Sequence, residues 1–176
     1  FVITAFFIIF TITLFKQLHF MRTYDLGFDQ DRVLVLQPKV SRSVAAHYDA
    51  LKENLLAEST VKDVTISSAV PGQGGGGDLY VEKGAAVESS YSLGEVFVDY
   101  NTADLLGLEI IAGRNFSEAF GSDAFVENEE GRFVTAILNE EAVRRFGWSS
   151  AEEALNKQII RDPNANDWTA KVIGVM

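Results

Sequence analysis

With 176 residues, of which 47% are hydrophobic and 23% charged, the chain holds enough apolar material for one ordinary domain and too much for a disordered segment. Its 25 acidic against 15 basic side chains give a formal net charge of −10, which repels phosphate backbones and sets nucleic acid aside as a partner. Because the chain has no cysteine, a disulfide scaffold, a thiolate metal site and a thiol nucleophile are all excluded.

Phe1 to Phe15 carry no charge, proline or glycine. As a helix the run is roughly 22 Å long, short of the ~30 Å hydrocarbon core of a membrane. It begins without an initiator Met, so the expectation is a transmembrane helix cut short at its start. A signal peptide would need a basic stretch before the run and a small-x-small pattern after it, and Lys16 to Arg22 supply no such pattern. A buried core helix is the other alternative, since the run is apolar on all sides. Leu14, Leu18 and Met21 continue the helical spacing, which extends the helix as a stalk and gives residues 1–23 as the first unit.

Residues 24–176 form the second unit. Asp25-Leu26-Gly27-Phe28-Asp29 breaks the helix at a turn, and Val33-Leu34-Val35-Leu36, ended by Pro38, reads as a buried strand. A helix capped by Ser41 or Ser43 follows, with Val44, Tyr48, Leu51 and Leu55 on one face. Val64 and Ile66 alternate with polar neighbours, as in a half-buried strand. Pro71 to Gly77 reads as a loop; Leu79–Glu82 and Glu95–Tyr100 read as strands, with Val96 and Val98 sharing a face. Thr102 is placed as the cap of a short helix ended by Gly107, followed by a strand over Leu108–Ile111 and a turn at Ala112-Gly113-Arg114. After an acid-rich stretch, Phe133–Leu138 is a strand. Asn139 caps Glu140–Phe146, Ser150 and Glu153 form a capping box, and Gln158–Arg161 and Trp168–Val175 are the last strands. Helices and strands interleave without a regular βαβ rhythm, so the fold class is α+β.

The candidate chemical motifs are weak. Gly72-Gln73-Gly74-Gly75-Gly76-Gly77 matches G-x-G-x-x-G, but strand-like residues follow where a phosphate site needs a helix N-terminus, and Gly-Lys-Ser/Thr is missing. Asp162, Asn164 and Asn166 open with calcium-loop spacing, yet Asp167 and Ile173 occupy the positions that need Gly and a bidentate acid. His19 and His47, the only histidines, lack a helical metal-site partner, and no G-x-S-x-G turn exists. The acids between Glu118 and Glu130 sit in polar surroundings that do not raise a carboxyl pKa. Asn115-Phe116-Ser117 fits a glycosylation sequon, which matters only in a glycosylating pathway. The reading is therefore no catalytic residue, no metal and no cofactor. Arg114 reads either as pairing with a carboxylate or as a surface arginine.

An ordered set of phrases carries a resemblance: Gln17-Leu18-His19-Phe20-Met21, Asp25 to Asp29, Arg32 to Leu36, Val98-Asp99-Tyr100, Leu106-Gly107-Leu108, Ala112 to Ser117, Ile137-Leu138-Asn139-Glu140, Phe146-Gly147-Trp148 and Val172 to Val175. Together they resemble the MacB-like periplasmic core domain of FtsX-type ABC transporter permeases, in a form similar to that of Bacteroidetes. Asn156 stands where that family usually has Gly, and the Gly72–Gly77 loop and the acidic 118–131 segment look like local elaborations. The resemblance implies a two-lobed mixed α/β periplasmic domain, one lobe about 30–100 and the other about 101–170. It implies an inner-membrane protein with most of this chain in the periplasm, and no enzyme activity of its own. A separate ABC-type ATPase subunit would supply ATP hydrolysis. A second permease copy, giving a dimer, and a periplasmic adaptor, lipoprotein or cell-wall enzyme are the implied partners. The alternative is the extracytoplasmic sensor or binding domain of a membrane receptor.

Overall fold

The fold is that of a computed structural model, which describes residues 1–23, 33–37, 46–70, 75–128, 131–165 and 168–176. The turn at Asp25–Asp29, the caps Ser41 and Ser43, Pro38, Val44, Gly72–Gly74, Glu129, Glu130, Asn166 and Asp167 lie outside the described residues.

Helix α1 runs unbroken from Val2 to Thr23, past the point where the fully apolar run ends. Its span Val2–Met21 is the one described helix long and apolar enough to cross a membrane. Large apolar side chains such as Phe6, Phe10, Leu14, Leu18 and Met21 stand exposed along it, which suits lipid or a partner helix and leaves α1 outside the described core of this chain.

A mixed α/β domain follows, in keeping with the α+β expectation. Helix α2 (Tyr48–Leu56) comes first. Strands β1 (Gly76–Glu82) and β2 (Tyr91–Glu95), helix α3 (Thr102–Leu106) and the short strand β3 (Ala112–Gly113) continue the order. After them come β4 (Val126–Asn128), β5 (Gly131–Leu138), α4 (Glu140–Arg145), α5 (Ala151–Ala154), β6 (Gln158–Arg161) and β7 (Trp168–Val175). All seven strands join one sheet in the order β2-β1-β6-β7-β5-β4, with β3 also on β7. The β5–β7 pair is parallel and the other pairs are antiparallel. The sheet therefore takes β1 and β2 from before residue 100 and β6 and β7 from after it.

Register puts Tyr80, Ile159, Ala170, Val172, Ala136 and Leu138 on one face, where Ala142, Val143, Trp148 and Ala154 from α4, α5 and their connection cover them. Ile159, Val172 and Val175 are the largest fully buried side chains, so the core sits between these helices and β6–β7. The local signals for α4 and α5 hold. Asn139 accepts from the Ala142 N–H at 2.9 Å, and Ser150 Oγ accepts from the Glu153 N–H at 3.2 Å. The Glu153 carboxylate reaches one residue further back than a capping box requires and accepts from the Ser149 N–H at 2.7 Å.

Several expectations are corrected. Val33–Leu36 forms no strand, and Leu34 and Leu36 are 83% and 64% exposed, because no described strand pairs with this run. The strand expected at Glu95–Tyr100 lies earlier, at Tyr91–Glu95; beyond it the chain makes a single antiparallel bridge, Ser67 with Val98. That bridge is also the only strand pairing of the Val64–Ile66 region among the described residues. The strand expected at Leu108–Ile111 is paired at Ala112–Gly113 instead, on the edge of β7 that β6 vacates. Thr102 does not cap α3: Asn101 occupies that position without a side-chain cap bond, and Thr102 is buried with its hydroxyl 2.5 Å from that of Thr65. Gly76 and Gly77, expected in a loop, belong to β1. A Cβ at Gly75 would lie 2.5 Å from the Glu95 carbonyl oxygen and one at Gly77 3.0 Å from that of Leu93, so the glycines let β1 and β2 close on each other.

Candidate functional site

The segment from Glu95 to Asn101 is a strap joining the sheet to the α2 side of the molecule. Val96, Phe97 and Val98 are all exposed, and Glu95, Phe97 and Asp99 make the attachments.

Glu95, the last residue of β2, accepts from Tyr80 Oη and from Arg161 Nε and Nη2, the Nη2 contact at 2.9 Å. The same Arg161 Nη2 lies 3.0 Å from Asp78 Oδ2, and its guanidinium stacks 4.9 Å over the Trp168 ring. Burial, then the Glu95 carboxylate, push the Tyr80 hydroxyl well above the ordinary tyrosine range, so it stays a protonated donor. Phe97 stacks on Trp168 at 5.3 Å, and Phe125 meets the same indole edge-on at 6.0 Å. These bonds fix the strap to β1, β6 and β7.

Asp99 fixes it to α2. One carboxylate oxygen, Oδ2, accepts from Tyr48 Oη at 2.6 Å and from Lys52 Nζ at 2.9 Å. The other accepts from the Tyr100 N–H at 2.8 Å. Burial pushes the Asp99 carboxyl up, and the Tyr48, Lys52 and Tyr100 bonds outweigh it and hold the group below the ordinary aspartate range. Lys52 is raised by the same bond, and Tyr48 is raised by burial and then by Asp99. The backbone beneath is tied separately: Asp99 N–H donates to Ile66 O at 3.0 Å, Ser68 N–H to Phe97 O at 2.8 Å, and Asn101 Nδ2 to Asp63 Oδ1 at 2.8 Å and Val64 O at 3.0 Å.

Arg114 makes a second polar clasp. Its guanidinium grips Asp123 through two bonds, 2.5 and 2.7 Å, while the Ser117 N–H adds a third at 3.0 Å. The Asp123 side chain is 0% exposed, and the guanidinium lies 4.1 Å over Phe120. The Arg114 bond, above all, holds the Asp123 carboxyl below its ordinary value. Of the two readings of Arg114, pairing with a carboxylate is the one found.

The chemical motifs stay dispersed. His19 lies on α1 and His47 just before α2. Asp162 and Asn164 sit in the turn after β6. Asn115 donates to Asp104 at 3.1 Å. Among the described residues no group of three His, Cys, Asp or Glu is placed to hold a metal ion. Asn156 takes φ 66°, a left-handed conformation that Asn tolerates. The strap escaped sequence reasoning because its partners are far away in the chain: Lys52 is 47 residues from Asp99, and Arg161 is 66 from Glu95. The only local trace was the Val98-Asp99-Tyr100 phrase.

No protein-family model matches the chain, and no curated protein matches it. Among solved structures, the chain is similar to a domain of a "putative Permease protein" from Porphyromonas gingivalis, with 16% identity and a TM-score of 0.44, over 64% of this chain. The match spans 42% of the length of that chain.

Proposed function

We propose that this chain is the periplasmic domain and adjoining membrane helix of an ABC-type permease of the MacB-like, FtsX-type kind. In this reading α1 crosses the inner membrane and the mixed α/β domain stands in the periplasm. A separate ATPase subunit hydrolyses ATP, a second permease copy completes a dimer, and the domain moves to act on an adaptor, a lipoprotein or a cell-wall enzyme. The chain itself carries no catalytic step. The observation that supports this best is α1, a helix of 22 residues with its apolar side chains exposed, set ahead of an acidic folded domain. The ordered phrases from Gln17 to Val175 point the same way.

Orientation is the first consequence to measure. Lys16 and Arg22 flank the domain end of α1, which runs weakly against the positive-inside bias. The native chain has no cysteine, so a single Ser89→Cys change at an exposed turn gives a clean reporter. A membrane-impermeant maleimide is expected to label it in cells whose outer membrane alone has been permeabilised. Labelling only after the inner membrane is lysed would place the domain in the cytoplasm and remove the proposal.

A further inference from the structure

We propose that α2 is a releasable element, fastened to the strap by Asp99 and able to leave it without unravelling the sheet. None of Tyr48–Leu56 is buried. The row that faces the domain, Tyr48, Lys52 and Leu55, is only half-buried, and Leu51 and Leu56 are each 40% exposed. Nine residues are too few to hold a helix in water unaided, and His47 provides no side-chain cap. Among the described residues, hydrophobic burial therefore contributes little to docking, and the polar clasp at Asp99 carries most of it. That clasp converges on one atom. Tyr48 Oη and Lys52 Nζ both bond Asp99 Oδ2, so losing that carboxylate loses both ties together. Tyr48 Oη also lies 3.3 Å from Val64 O, a long contact in the same place.

The strap, by contrast, is held by bonds that do not involve α2. Asp99 N–H to Ile66 O, Ser68 N–H to Phe97 O, the Phe97–Trp168 stack and the Glu95–Arg161 pair all remain when α2 leaves. Docked and undocked states are thus distinct, and the second keeps the core intact. In the chain α2 lies between α1 and the sheet. Its use as a joint, which absorbs a displacement of α1, rests on the permease reading; its release does not.

Hydrogen exchange by mass spectrometry on the full 176-residue chain in detergent micelles tests this. Wild type is compared with Asp99→Asn and with Lys52→Met, which keeps the aliphatic stem. The expected result is that the amides of Tyr48–Leu56 exchange roughly tenfold faster or more in both variants, while those of β6 and β7 keep their wild-type rates. Unchanged α2 rates in the variants would overturn the proposal, as would acceleration of α2 and β7 together, which would make them one cooperative unit. Should Asp99→Asn fail to fold, Lys52→Met decides by the same two criteria. No ATPase is present, so a failure of coupling in the transporter cannot imitate either outcome.

Discussion

Gly113→Ala is expected to cost about 3–5 kcal/mol, from a left-handed residue forced onto a side chain and from overpacking against a central strand. Gly113 has φ 78°, and a Cβ there would lie 2.2 Å from the Ile173 carbonyl oxygen and 2.6 Å from a Leu155 methyl. The leucine can turn away. The carbonyl cannot, because it accepts the Arg114 N–H at 3.0 Å and belongs to β7, which β5 flanks on its other edge. That loss is a large part of the ~5–15 kcal/mol that holds an ordinary domain together. Urea unfolding followed by the fluorescence of Trp148 and Trp168 measures it. Gly121→Ala is the control, since a Cβ there meets nothing within 4 Å. A Gly113→Ala midpoint equal to the control's would contradict the close approach of β3 and β7.

Arg114→Ala is expected to cost about 1–3 kcal/mol near neutral pH, because it takes two charge-assisted hydrogen bonds from the Asp123 carboxylate and leaves the Ser117 N–H and Ser122 Oγ as its donors within the chain. The pH dependence has a definite sign. Asp123 titrates below its unfolded value, so the pair's contribution is fully present above the ordinary aspartate pKa of about 3.9 and is lost as pH falls through the lower, folded value. The gap between wild type and variant should therefore narrow in acid. Asp99 titrates in the same direction in both proteins and cancels from the comparison. Stability curves at neutral pH and near pH 3 read the gap, and an equal gap at both would mean that Asp123 is not held by Arg114.

The parts of the fold that were legible in the sequence are those written locally. Asn139 and Ser150 announce their helices because a cap acts within three residues, and β6 and β7 were read as two strands around the turn at Asp162-Pro163-Asn164. Pairing is not local. Val33–Leu36 has the composition of a strand and no described partner, and the strand foreseen at Leu108–Ile111 is displaced to the two residues that β7 can receive at Gly113 and Gly174. The glycines of β1 looked like a loop because the Glu95 and Leu93 carbonyls that exclude side chains there belong to another strand. The same holds for the strap. Asp123 was one acid among several in a polar stretch, and only the fold brings Arg114 to it, nine residues away.

The proposed permease reading needs α1 to be a stiff connection between membrane and domain, and Leu18→Pro tests that most directly. Proline there removes one helix hydrogen bond, clashes with the preceding turn, and costs ~3 kcal/mol or more of local helix stability. The core between α4, α5 and β6–β7 lies elsewhere, so the domain should still fold. Leu18→Ala, which keeps the helix, is the control. Under the permease reading proposed above, and measured together with the ATPase subunit that reading calls for, the proline variant is expected to retain expression and partner binding and to lose ATP-driven export or release, while the alanine variant keeps most of it. Normal output from the proline variant, with the break in the helix confirmed by spectroscopy, would make α1 a passive anchor and contradict the account.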